Sequence, residues 1–245
     1  MKKIATTLCL AAIALAIGTA AQAQDRKFYQ SVYLNGNIPT GKFGKSIAAS
    51  ETIGHDATVP LGYEAVGKDA SIGFGLGYRA SYHFDVGLGE VAPYANIDFL
   101  WNTISGKWRD KYSIAYLTIP TYFNIPFQAG VTYIYDELPW PDIRAYGEFG
   151  IGTDFLWITS EGNGKGIPKF SYKPNFAFAW SLGAGAYFGR YFSAGLYYYG
   201  MGKHNVDYTD GTLKDNTMAA EQKAHETSRP QVSVGSVMLR LGFHF

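Results

Sequence analysis

Cysteine is all but missing from this chain of 245 residues. The single instance, Cys9, lies in an apolar N-terminal stretch, too early for a lipoprotein acylation site. Everything after residue 23 is therefore without a disulfide framework, a cysteine nucleophile or a thiolate metal site. Long hydrophobic runs are missing too. Beyond the N-terminal stretch no run of about 18 apolar residues occurs, so no transmembrane helix is expected. Charge of one sign is also lacking: 21 Lys and Arg stand against 20 Asp and Glu, which is not the balance of a nucleic-acid binder. The 29 glycines form no phosphate-binding signature and instead alternate along strand-like segments. Asp207, Asp210-Gly211 and Asp215 do not fit the spacing of a calcium loop, so a solvated acidic loop is expected there, with no metal and no cofactor.

What is present begins at the two ends. Lys2 and Lys3 precede an apolar stretch from Ile4 to Ile17, followed by Ala21-Gln22-Ala23. Positive residues, a short apolar core and a small-x-small site predict a secretion signal over 1–23, cleaved to leave 24–245 as one domain. At the other end Val237, Leu239, Leu241, Phe243 and Phe245 alternate with Met238, Arg240, Gly242 and His244. A period of two marks a strand with one apolar face. A strand of this kind ending in an aromatic resembles the last strand of Gram-negative outer-membrane β-barrels. That resemblance implies that Phe243 and Phe245 serve as the signal read by the barrel assembly machinery.

The same alternation recurs. Eight segments are expected, over about 28–38, 72–85, 91–103, 115–127, 144–158, 175–188, 191–201 and 237–245. In the second, Phe74, Leu76, Tyr78 and Tyr82 face one way; Gly75, Gly77, Arg79, Ser81 and His83 face the other. Lengths of this order suit tilted strands crossing a bilayer. The mean hydropathy of −0.09 is what lipid-facing and lumen-facing residues give when they cancel. The connections alternate between long and short, as loops and turns do in an up-and-down barrel. One breaks the rule: Gln128 to Ile143 is long where a short turn is expected, although Val131–Tyr135 could extend a strand. Aromatics make up 16% of the chain and gather at strand ends. Phe84, Phe127, Phe188, Phe192, Phe243 and Phe245 are expected at one rim, and Trp101, Trp157 and Phe176 at the other. The fold class expected is an all-β, antiparallel, up-and-down transmembrane barrel of eight strands.

Asn35-Gly36-Asn37-Ile38-Pro39-Thr40-Gly41, Tyr116-Leu117-Thr118-Ile119-Pro120 and Tyr146-Gly147-Glu148-Phe149-Gly150-Ile151-Gly152 resemble strands of small outer-membrane barrel proteins, the "porin family". The resemblance spans nearly all of 24–245. It implies an outer-membrane location, lipid as the surrounding partner, a monomer and no shared catalytic residues. It also excuses Pro120, which would otherwise cost a ladder hydrogen bond.

An eight-stranded barrel leaves a lumen just wide enough for side chains. Arg79, His83, Asp98, Arg144, Glu148, Asp154 and Arg240 fall on the inward face. Arg79, Asp98, Glu148 and Arg240, two positive and two negative at similar depths, are expected to pair and close the lumen. Ser81 and His83 share that face at i and i+2, the residue types of a lipid hydrolase. They lie away from the outer leaflet, so a hydrogen bond within the filling is expected, and no enzyme. The function expected is structural or surface-interacting, through long extracellular loops. A narrow channel for small solutes is the alternative, and a lipid-modifying enzyme the third reading. The sequence names no extracellular ligand, and none of its features suits nucleic acid.

Overall fold

The computed structural model describes residues 27–45, 68–104, 121–159, 171–205, 208–210 and 231–245. Eight long strands are β1 (Phe28–Pro39), β2 (Gly73–Tyr82, continued by Phe84–Asp85), β3 (Gly89–Thr103), β4 (Thr121–Tyr135), β5 (Ile143–Ile158), β6 (Asn175–Phe188), β7 (Phe192–Asn205) and β8 (Gln231–His244). Each pairs antiparallel with its neighbour in sequence, and β8 returns to pair with β1 from Ser31↔His244 to Pro39↔Ser236. The result is a closed eight-stranded antiparallel barrel with no free edge. Beyond the strand ends, Phe245 and Gln30 exchange both backbone hydrogen bonds, at 2.9 and 3.0 Å. The last residue is thus bound into the seam.

Alternation explains the two faces. Val32, Leu34, Ile38, Phe74, Leu76, Ile97, Phe99, Phe149, Ile151, Leu182, Leu196, Leu239 and Leu241 all point outward and are exposed. Their strand neighbours Tyr33, Asn35, Asn37, Arg79, Asn96, Asp98, Glu148, Ser181, Tyr197, Met238 and Arg240 point inward and are buried. An apolar skin over a polar filling inverts the soluble rule and suits a lipid surround. Among the described residues no helix is long and apolar enough to cross a membrane.

The ends of the barrel differ. At one, the connections are tight. Between β2 and β3, Gly87 takes φ +93° and its N–H donates to the Asp85 carboxylate at 2.9 Å. Between β6 and β7, Gly189 takes φ +62°. Both positions lie in the left-handed region that a side chain disfavours. Both termini of the barrel lie at this turn end. At the loop end, Ser171–Tyr172 and Tyr208–Asp210 form a small two-stranded pairing above β6 and β7.

Strand four requires correction. It runs Thr121–Tyr135 rather than stopping near Phe127, and residues 115–120, Pro120 among them, lie outside the described residues. The connection then shrinks to Asp136–Asp142, a turn like the others. The alternation continues past Phe127, with Val131 and Tyr133 outward and Gln128, Thr132 and Ile134 inward. Phe127 therefore falls mid-strand, opposite Ile97 and Thr153, not at a rim. The proline that matters is Pro126. The β3–β4 register passes from Ile97↔Phe127 to Leu100↔Asn124 with no pairs between, where Pro126 has no N–H to give.

Outside, Phe74, Trp101, Phe123 and Trp157 form a chain of ring contacts over four adjacent strands, at centroid distances of 4.8, 6.3 and 5.2 Å. Phe155 and Phe176 add a contact at 4.9 Å. This belt lies towards the loop end. At the turn end Phe243 contacts Phe192, Phe245 and Tyr191.

Candidate functional site

The lumen is the only enclosed polar region that the described residues build, and it has three layers. The middle layer holds the four charges singled out from sequence. Arg79 on β2 and Glu148 on β5 meet through two parallel bonds, Nη1 to Oε2 at 2.7 Å and Nη2 to Oε1 at 2.6 Å. Arg240 on β8 donates from Nη2 to both oxygens of Asp98 on β3, at 3.0 and 2.8 Å. Arg240 Nε donates to Asn35 at 3.0 Å, while Asn35, Asn96 and Tyr199 donate to Asp98 at 2.9, 2.8 and 3.1 Å. The two pairs approach one another where Arg240 Nη1 stands 3.9 Å from Glu148 Oε1. All four side chains are 4% exposed or less. Charges so placed persist only when paired and hydrogen-bonded.

Aromatics complete this layer. The Arg79 guanidinium lies over Tyr94 at 3.8 Å, and that of Arg240 over Tyr33 at 4.7 Å and Tyr197 at 4.6 Å. The Tyr146 and Tyr197 hydroxyls are 2.5 Å apart. Glycines make this possible: a Cβ at Gly77 would strike the Asp98 carboxylate, and one at Gly183 the Tyr197 ring. Gly77 and Gly183 are thus sites where a paired residue of the neighbouring strand lays its side chain over the glycine.

Above it, towards the loop end, lies a mixed layer. Asn102 donates to Asn37 at 2.6 Å. Asp154 meets His204 at 3.0 Å, both fully buried, and the same His204 Nε2 lies 2.8 Å from the Met201 carbonyl. Around and over these stand Leu100, Ile104, Tyr122, Leu156, Ile158 and Met201, all buried. Phe43, from the segment after β1, drops onto Tyr122 with ring centroids 5.3 Å apart and is itself fully buried. Its carbonyl accepts from Ala70 N–H at 3.0 Å, and Lys45 from Asp69 at 2.8 Å, so the base of the first long connection is pinned over the opening. An apolar stopper of this kind was not legible in the alternation.

The turn-end layer holds two histidines. His244 sits between Ser31 at 2.7 Å and Ser193 at 2.8 Å. His83 sits between Ser81, 3.1 Å from Nε2, and Glu90, 2.6 Å from Nδ1. Arg144, grouped from sequence with the lumen charges, stands instead at this mouth, 3.4 Å from Glu90 and 3.5 Å from Asp136. Glu90 itself was missed, because it follows the turn glycines Gly87 and Gly89 and reads as part of the connection. Asp207, Asp215 and the side chain of Asp210 lie outside the described residues.

No family model matches the chain, and no curated protein matches it. Solved structures do. Neisserial surface protein A aligns at 11% identity and TM-score 0.47, over 89% of this chain and 95% of that one. Ail, the attachment invasion locus protein of Yersinia pestis, aligns at 14% and 0.40, over 89% and 98%. The N-terminal β-barrel domain of Pseudomonas aeruginosa OprF aligns at 11% and 0.34, over 89% and 97%.

Proposed function

We propose that this chain is an outer-membrane barrel of the small porin-family type, with a structural or surface-interacting role and a lumen that does not conduct. What carries the reading is the filling. The middle layer is two ion pairs wedged among tyrosines, and the loop-end opening is stopped by Phe43 on Tyr122. In this reading residues 1–23 direct export, Phe243 and Phe245 are recognised by the assembly machinery, and the turn end faces the periplasm. Specificity for any outside partner belongs to the long connections above β1 and β7, which lie beyond the described residues. The surrounding partner is outer-membrane lipid, and the barrel is a monomer, since its strands leave no free edge for a second copy.

The test is conductance of the refolded barrel in a planar bilayer. The filling predicts a silent membrane. Steady unitary openings from protein that is folded by heat-modifiable migration would move the reading to a narrow solute channel. Fractionation of cells expressing the chain tests the location independently.

A further inference from the structure

We propose that Ser81, His83 and Glu90 form an acyl-transfer centre at the turn-end mouth, hydrolysing short-chain carboxylic esters. The geometry is that of a nucleophile, a base and an orienting carboxylate. Ser81 Oγ is 3.1 Å from His83 Nε2, and His83 Nδ1 is 2.6 Å from Glu90 Oε2. A carboxylate on Nδ1 holds that nitrogen protonated and leaves Nε2 free to take a proton from the serine. Three further contacts fix the ring and its partner. Tyr29 packs on the imidazole at 4.3 Å, the His83 backbone N–H donates to the Lys27 carbonyl at 2.7 Å, and Arg144 steadies Glu90 from the other oxygen at 3.4 Å.

The second histidine of the same layer shows what a purely structural arrangement looks like. His244 lies between two hydroxyls with no carboxylate, and is buried beneath Tyr187 and Tyr33. His83 differs in having an acid behind it, and its own side chain is 10% exposed beside Glu90 at 26%. On the same face of β2, two residues further in, Arg79 is taken up by Glu148 and buried, so it stands outside the centre.

The reaction balances without redox or metal. Ser81 Oγ attacks the ester carbonyl as its proton passes to His83 Nε2; the C–O bond to the alcohol breaks, and the alcohol leaves with that proton. Water then attacks the acyl-serine, gives a proton to His83 and releases the acid, and Ser81 recovers its proton. The substrate class follows from access. Ser81 is 7% exposed, too recessed to meet a folded polypeptide, so the proposed substrates are small esters. That the substrate comes from the periplasm rests on the orientation proposed above; the chemistry does not.

The experiment uses the full barrel refolded in detergent, with folding checked by heat-modifiable migration. A fluorophosphonate is added, the adduct is located by peptide mass, and p-nitrophenyl acetate turnover is followed in parallel. The expected result is one adduct on Ser81, absent from Ser81→Ala and intact in Ser193→Ala, with turnover in the same order. Glu90→Gln keeps the side-chain shape and should slow labelling, and His83→Gln should slow it about a hundredfold or more. Folded wild-type protein that takes no label, takes it elsewhere, or keeps its turnover in Ser81→Ala would overturn the proposal. A silent bilayer with no labelling would leave the architectural reading standing and remove this one alone.

Discussion

Replacing Glu148 by Ala puts the middle layer to the sharpest test. In the folded barrel its two oxygens take both parallel bonds from Arg79 and a third, at 3.4 Å, from Thr132. Removing the carboxylate leaves the Arg79 guanidinium buried, with no anion within its own pair. An uncompensated charge of that kind costs about 3–5 kcal/mol. The tyrosine rings against Arg79 are present before and after, so their attraction cancels from the difference. Adding Arg79→Ala removes the stranded charge, and about 2–3 kcal/mol of the loss should return as coupling between the two sites. The comparison that discriminates is Glu148→Ala with Arg240→Ala. From sequence, Glu148 is expected to couple to Arg240, and the structure corrects that partner. In the structure Arg240 belongs chiefly to Asp98, and its approach to Glu148 is 3.9 Å. That double change strands both Arg79 and Asp98, so it should recover much less. The assay is the urea midpoint of each variant in lipid vesicles, converted with a common denaturant slope. Additivity in both cycles, or a larger coupling to Arg240 than to Arg79, would refute the pairing argued here.

Three further outcomes are expected. Gly183→Ala should destabilise the barrel by about 1–3 kcal/mol, because the new methyl meets the Tyr197 ring across the ladder; the relief given by Tyr197→Ala in the same background, read as a midpoint shift, checks the cause. Leu182→Arg, on the exposed apolar face between Phe149 and Tyr198, should cost about 2–4 kcal/mol in vesicles, with little loss expected from the same change in a detergent whose headgroups reach the strand. Phe245→Ser should lower the amount of folded barrel in the outer-membrane fraction and raise periplasmic degradation products, and unchanged accumulation would mean that the terminal aromatic is not read during assembly.

Much of this architecture was legible because strand alternation is a local property. Arg79 and Ser81 face inward for the same reason that Phe74 and Leu76 face outward, and no tertiary information is needed to say so. Pairing partners are different. Arg79 and Glu148 sit on strands far apart in sequence, and only the register across β2, β3, β4 and β5 brings them to one height. Strand four was cut short at Phe127 because Gln128-Ala129-Gly130 interrupts the apolar signal, although small residues are tolerated on a lipid-facing wall. Glu90 was hidden by the glycines around it. Phe43 was hidden for another reason: it belongs to no strand, and it reaches the lumen only because backbone bonds from Ala70 and Asp69 fold its segment over the opening.

That placement of Phe43 bears on how the lumen could ever open. Its two seals are independent and of opposite chemistry. The charged seal in the middle is strong where it stays dry, and any water that entered would weaken it by screening. The apolar seal at the loop end keeps water from that side, since Phe43, Tyr122, Leu156 and Ile158 offer an entering molecule few partners. Breaking Arg79–Glu148 alone therefore leaves a stranded charge beneath an intact stopper, and unfolding becomes cheaper before conduction does. Lifting Phe43 alone uncovers tyrosines and two ion pairs, which still fill the cross-section. In the reading proposed above a conducting state needs both events at once, and the backbone bonds that hold Phe43 join its segment to Asp69 and Ala70. Both seals are thus built from side chains of the barrel strands and of the segment that carries Phe43.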